Sequence, residues 1–233
     1  MKYSEDPESS SNPATREVVT QDHYHNPLEG GRGDYGIDDI EIPRLDVVHN
    51  VGDLSSKFTP GELVLMREFV LPQPVRLTVF GHTKYYVQNS EYEEGTRKQE
   101  FDTWEQVLAS GGNVLRNKKA GEDNSNFLPA ARLYLAIELP PELVETVPGV
   151  METEGRFIAR AIWKVQKIAY SQIVRRINLV EAPLRLKNQL ISSKTFDLSV
   201  ERQKYGKHWV QVPDMKVVGN NSEEYVTFLR KVF

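Results

Sequence analysis

The 233-residue sequence predicts a mainly β, α+β fold: a small barrel or sandwich carrying short helices and ending in a C-terminal helix. Three observations predict it. About six segments show period-two apolar alternation or compact apolar runs bounded by Pro, Gly and Asn. Helical periodicity is confined to short stretches, and strands do not alternate regularly with long helices as in a doubly wound sheet. The apolar fraction, 39% of the chain, is low but sufficient for a packed core, and a single core with an unstructured tail fits best.

Taken in order, residues 1–36 are rich in Ser, Asn, Pro, Gly and acid and lack apolar periodicity, which predicts a disordered acidic N-terminal arm. A single domain is then expected over 37–233. In "IEIPRLDVVHNVG", Ile42, Leu45, Val47 and Val48 predict a first strand after Pro43. "GELVLMREFVL" and "PVRLTVFGHTKYYVQ" predict two β segments separated by Pro72 and Pro74, the second setting Val75, Leu77 and Val79 against Arg76, Thr78 and Phe80. "FDTWEQVLASGG" predicts a short helix around 103–109, capped by Asp102 with Glu105 three residues on and stopped at Gly111 and Gly112.

"FLPAARLYLAIELP" alternates Leu133, Leu135, Ile137 and Leu139, and "GRFIARAIWKVQKIAY" alternates Phe157, Ala159, Ala161, Trp163 and Val165; both predict strands. "SQIVRRINLVEAPLRLKNQLI" predicts two short helices joined at Pro183. "FDLSVERQKYGKHWVQVPDMKVVG" predicts a hairpin turning at Gly206, its register held by Phe196, Leu198, Val200, Val210 and Val212. In "NNSEEYVTFLRKVF", Ser222 suits an N-cap, Glu223 and Glu224 the positive end, and Arg230 and Lys231 the negative end of a terminal helix.

Charge is distributed unevenly. The net charge of -4 resolves into -7 over residues 1–60, -4 over 61–160 and +7 over 161–233, so the C-terminal third can carry a positive field of its own. Cysteine is absent, which excludes disulfides, thiolate metal sites and cysteine nucleophiles. No apolar run approaches the length of a membrane span, and "MKYSEDPESSSNPATREVVT" has no apolar core like that of a secretory signal, so a cytoplasmic protein without a membrane partner is expected.

Several patterns imitate chemistry. Gly31, Gly33 and Gly36 satisfy G-x-G-x-x-G without the strand before and the helix after that a pyrophosphate cradle needs. His23 and His25 lack a second ligand cluster, and Asp38, Asp39 and Glu41 read as a solvated acidic edge. No G-x-S-x-G elbow or Walker A loop occurs. A protein that is not an enzyme and needs no cofactor or metal is therefore expected.

The basic and aromatic residues point elsewhere. Proteins that hold single-stranded nucleic acid set cations along the backbone path and rings on which bases stack, at about 1–3 kcal/mol per stacked base. Candidate cations are Lys84, Lys164, Lys167, Arg175, Arg176, Arg202, Lys204 and Lys207; candidate rings are Tyr86, Tyr170, Tyr205 and Trp209. Trp163 shares a face with Phe157 and Val165 and is expected in the core. Since Tyr85 and Tyr86 are adjacent in a strand, one ring is expected to pack and the other to face outward.

A five-stranded Greek-key barrel of the OB type accommodates a helix before its final hairpin, which fits this order of elements. The succession "IPRLDVVHNVGDLS", "PGELVLMREFVLPQPVRLTVFGHTKYYV", "FIARAIWKVQKIAYS" and "FDLSVERQKYGKHWVQVP" resembles phage-encoded single-stranded-DNA-binding proteins with an OB fold, over roughly residues 40 to 215. The resemblance implies single-stranded DNA binding in phage-type replication or recombination, with single-stranded DNA and replication or recombination proteins as partners, in the host cytoplasm. Many such proteins end in an acidic tail with a terminal aromatic; this chain ends in Phe233, but "YVTFLRKVF" is basic. The competing expectation is a virion structural or assembly protein with a β-domain and a disordered arm.

Overall fold

The structure is a computed structural model in which residues 43–89, 98–114 and 126–233 are described. The predicted arm 1–36, the glycine pattern at 31–36, His23, His25 and the acids at 38–41 lie outside the described residues. The compact unit that contains the described residues is Glu41–Phe233.

Among the described residues the strands are β1 (Arg44–Val47), β2 (Leu63–Leu65), β3 (Phe69–Leu71), β4 (Val75–Gln88), β5 (Glu100–Phe101), β6 (Phe127–Glu138), β7 (Met151–Thr153), β8 (Arg156–Gln166), β9 (Lys194–Tyr205) and β10 (His208–Asn220). The helices are α1 (Trp104–Ala109), α2 (Pro141–Val144), α3 (Lys167–Arg185) and α4 (Glu223–Val232). The strands form one sheet in the order β10-β9-β4-β6-β8-β1-β2-β3, with β5 on β4 and β7 on β8. This sheet curls into a half-barrel. Pairing is antiparallel except between β1 and β8. Three consecutive antiparallel strands, β4, β6 and β8, are followed by a long connection through α3 that returns β9 to the side of β4, which is a Greek-key order.

The concave face carries the core. Leu77 and Val79 of β4, Leu133, Leu135 and Ile137 of β6, Ala159, Ala161 and Trp163 of β8, Phe196 and Leu198 of β9 and Met215 of β10 pack with Ile173 and Ile177 of α3. Trp163 is a core residue, as its alternation predicts. The opposite face of the sheet is covered by α4, whose Tyr225 and Leu229 pack on Ala136 and Ile158 with Phe80 at the margin. Phe233 stacks on Phe80 with ring centroids 4.8 Å apart, and Arg160 donates to the Val232 carbonyl at 2.8 Å. The Ser222 cap forms as predicted, its hydroxyl accepting from the Tyr225 amide at 3.0 Å.

Three local expectations are corrected. The cap of α1 is Thr103, whose hydroxyl accepts from the Gln106 amide while the Gln106 side chain accepts from the Thr103 amide; Asp102 lies one residue too early and instead pairs with Arg132 at 2.8 Å. Pro183 does not divide a pair of helices: α3 runs unbroken for 19 residues. A proline in the last turn removes a single backbone hydrogen bond, and burial of Leu184 beyond it keeps the helix docked. The strand predicted through Tyr170 ends at Gln166, where Lys167 takes a φ of 52° and turns the chain into α3.

Candidate nucleic-acid interface

A bulge in β4 sorts the tyrosines. Val79 stands opposite Leu135, but the register then shifts, so that His82, Lys84 and Tyr86 stand opposite Leu133, Ala131 and Pro129. One extra residue in one strand reverses which parity faces inward. Lys84 and Tyr86 therefore continue the concave face beyond the core. Tyr85 turns to the other side, fully buried beneath the Arg132 guanidinium, whose carbon stands 4.4 Å from its ring centre. Tyr86 is buried too, at 8% exposed, so the expectation that one of the two rings faces outward is corrected: each packs in a cluster on its own side of the sheet.

Around Tyr86 the chain builds a small second cluster. Val107, Val114 and Phe127 back its ring, Trp104 meets it edge-on at 6.0 Å, and the Lys84 ammonium lies 4.8 Å from its centre. The turn after α1 reaches this cluster only because residue 112 is glycine: a Cβ there would stand 2.6 Å from the Phe127 ring. Lys84, Tyr86, Trp104, Glu105, Val114, Pro129 and Tyr170 line a cleft of about 800 Å³. Three of the predicted residues, Lys84, Tyr86 and Tyr170, thus meet in one place. Lys167 stands one helical turn before Tyr170. The ammonium of Lys98 is pushed below the usual lysine value, first by its partial burial and then by the positive charge of Lys167.

A second group forms at the end of the β9–β10 hairpin. Two residues, Gly206 and Lys207, make the turn; only Gly206, at φ 59°, has positive φ, as a II′ hairpin turn requires. Lys204 stands opposite Trp209 and Arg202 opposite Gln211, so these cations share a face with Trp209 and, further down, with Phe196 and Leu198. Tyr205 and His208 occupy the other face. The Arg202 guanidinium lies 4.9 Å from the Trp209 ring. Trp209 is 47% exposed and Tyr205 42% exposed. Asn50 ties the base of this tip to the domain by donating to the Trp209 carbonyl at 2.8 Å and accepting from Gln211 at 3.3 Å.

The predicted register of this hairpin is corrected. Phe196, Leu198 and Val200 stand opposite Val217, Met215 and Pro213, whereas Val210 and Val212 stand opposite Gln203 and Glu201 on the other face. The five residues therefore lie on two faces: Phe196 and Leu198 join the main core with Met215, Val212 is buried on the other face, and Val210 is half-buried there.

The remaining predicted residues separate from both groups. Lys164 points away from the concave face and donates to both oxygens of Glu100, at 2.8 and 2.9 Å; Arg132 joins the same carboxylate at 3.1 Å. Burial alone would raise the Glu100 pKa, but hydrogen bonds from Lys164 and Arg132, and their charges, hold it below the usual carboxylate value. Arg176 pairs with Asp214 at 3.4 Å. Arg175 lines a shallow groove on α3 with Tyr170, Val174 and Leu179. Among the described residues no ion pair engages Lys84, Lys167, Arg175, Arg202, Lys204 or Lys207.

Sequence reasoning missed Trp104, Glu105 and Pro129. The helix α1 was readable, though not its cap, but nothing in the sequence indicates that α1 folds against the far end of β4. It also missed the pairing of Lys164, because Glu100 lies 64 residues away on a two-residue strand. No described helix is long and apolar enough to cross a membrane, and the described residues hold no cluster of three or more potential metal ligands. Comparison with protein-family models, with curated proteins and with solved structures finds no match to this chain.

Proposed function

We propose that the chain is a non-enzymatic single-stranded DNA-binding protein, built on an OB-type barrel, that serves phage-type replication or recombination. The observation that carries this reading is the hairpin tip. Three cations there, Arg202, Lys204 and Lys207, have no carboxylate partner among the described residues, while two large rings stand beside them nearly half exposed. Cations that hold a fold together are paired, as Lys164, Arg132 and Arg176 are. Unpaired cations on one face with the exposed Trp209, and a second exposed ring, Tyr205, on the opposite face of the same tip, suit a ligand that is itself alternately phosphate and flat base.

Strand order supports the same reading. OB domains use the face of their second and third strands, with the loops after the first and fourth, to hold oligonucleotides. If β4, β6, β8, β9 and β10 are taken as those five strands, the tip becomes the loop after the fourth. The cleft beside Tyr86 then adjoins the connection after the first.

The test is a titration of labelled single strands at two salt concentrations. Reversing Arg202, Lys204 and Lys207 together to Glu is expected to weaken binding and to reduce the log–log salt slope by about 0.7 for each phosphate no longer neutralised, roughly 2 in all. Tyr205→Ala or Trp209→Ala is expected to cost about 1–3 kcal/mol with little change of slope, because stacking releases no counterions. Unchanged affinity in folded variants of both kinds would reduce the tip to a solubility device and favour a virion structural or assembly role.

A further inference from the structure

We infer that the cleft beside Tyr86 is a separate pocket for one unstacked guanine nucleotide. It rests on the single-strand reading only for the source of that nucleotide. Its volume, about 800 Å³, falls in the range of small-molecule sites, roughly 300–1,000 Å³. Its lining has a specific chemistry: Tyr86, Trp104 and Tyr170 contribute three aromatic rings, Pro129 a flat aliphatic one, Lys84 a cation and Glu105 a carboxylate.

These residues come from four elements that the fold holds rigidly together. Tyr86 and Pro129 stand opposite each other across β4 and β6. Trp104 and Glu105 open α1, which is fixed by its capping box and by Val107 packing into the Tyr86 cluster. Tyr170 projects from the first turn of α3 and packs partly against the main core. The Tyr86 ring is 8% exposed and lies under the Lys84 ammonium, so the surfaces open to a ligand are those of the half-buried Trp104 and Tyr170 rings; these favour a planar aromatic ligand, since every base has a π-face to stack.

The charged groups narrow the class further. Lys84 lines the cleft and Lys167 opens the helix that carries Tyr170, and their positive charge suits a phosphate. Glu105 is exposed and no ion pair engages it among the described residues. A carboxylate offers acceptors only. Of the four bases, guanine alone presents two adjacent N–H donors on its Watson–Crick edge, which a carboxylate accepts in bidentate fashion. Adenine and cytosine set a donor beside an acceptor, and thymine sets its single donor between two carbonyls.

The experiment is calorimetric titration of the full chain with dGMP, dAMP, dCMP and TMP, repeated with Glu105→Gln and Lys84→Ala. Both side chains are exposed, so both variants are expected to keep the fold, checked by circular dichroism. The expected result is that dGMP binds about tenfold or more tighter than the other three, the value of one bidentate contact to a base. Glu105→Gln should erase that preference and leave weak binding, whereas Lys84→Ala should weaken all four. Absence of dGMP binding to the folded wild type, or equal binding of the four nucleotides, overturns the inference.

The two readings fail separately. The triple Glu variant of the hairpin tip should still bind dGMP although it no longer holds single strands. Salt-dependent strand binding without dGMP binding removes the pocket alone. Binding of dGMP without strand binding removes the proposed function alone.

Discussion

At the scale of the residue, the useful distinction among the basic side chains is whether a carboxylate already holds them. Lys164 is a reasonable candidate in sequence, since "ARAIWKVQK" places it on the polar side of a strand beside Arg160. Its ammonium is nevertheless committed to Glu100, which Arg132 also grips. Lys164→Ala should therefore lower stability slightly and leave the salt slope of strand binding unchanged, in contrast to the tip residues; a slope that fell by about 0.7 would return Lys164 to the interface. The same triad makes a prediction about acid. Because the Glu100 pKa is lowered in the folded protein, its contribution is fully present above the unfolded value near 4.5 and is lost as pH falls through the folded value. Glu100→Gln should cost about 1 kcal/mol at neutral pH, after allowing for solvent screening, and should flatten the loss of stability below pH 4.5 in denaturant titrations.

At the scale of the element, much of the fold was legible and some of it was not, for identifiable reasons. Strands β4, β6 and β8 follow their apolar alternation, and the hairpin turn at Gly206 follows from the glycine. The β4 bulge was invisible, because alternation in "VRLTVFGHTKYYVQ" does not reveal where an extra residue enters, and that residue decides which tyrosine faces the cleft. Pro183 misled because its effect depends on its distance from the helix end, which local sequence does not fix. In the hairpin the valines of β10 looked equivalent to the apolar residues of β9, whereas pairing sets Val210 on the opposite face from Leu198. The two positions should therefore respond differently to truncation. Leu198→Ala, removing a fully buried side chain, should cost about 2–5 kcal/mol, and Val210→Ala, at a half-buried position outside the core cluster, should cost less than about 1 kcal/mol. Equal costs in thermal or denaturant melts would show that Val210 is packed as closely as Leu198.

At the scale of the whole molecule, charge is separated along the chain. The C-terminal third, at +7, supplies α3, β9, β10 and α4, and with them Arg175, Arg202, Lys204 and Lys207; residues 1–36 hold seven acids against three bases. The described core begins at Leu45, and each of its members lies within the unit Glu41–Phe233. A chain beginning at residue 37 should therefore melt as cooperatively as the full chain, and at nearly the same temperature. Its affinity for single strands should differ in a salt-dependent way. If the proposed interface holds single strands and the acidic segment tethered to it competes with phosphate there, removing that segment should tighten binding at low ionic strength. The gain should fade as the screening length falls from about 30 Å at 0.01 M salt to about 3 Å at 1 M. Under that competition the triple Glu variant of the tip should show no such gain, since its surface would already be negative. A truncated chain that fails to fold would place part of the core within residues 1–36. A folded one that binds no more tightly at low salt would remove the competition and leave the charge separation with no part in binding.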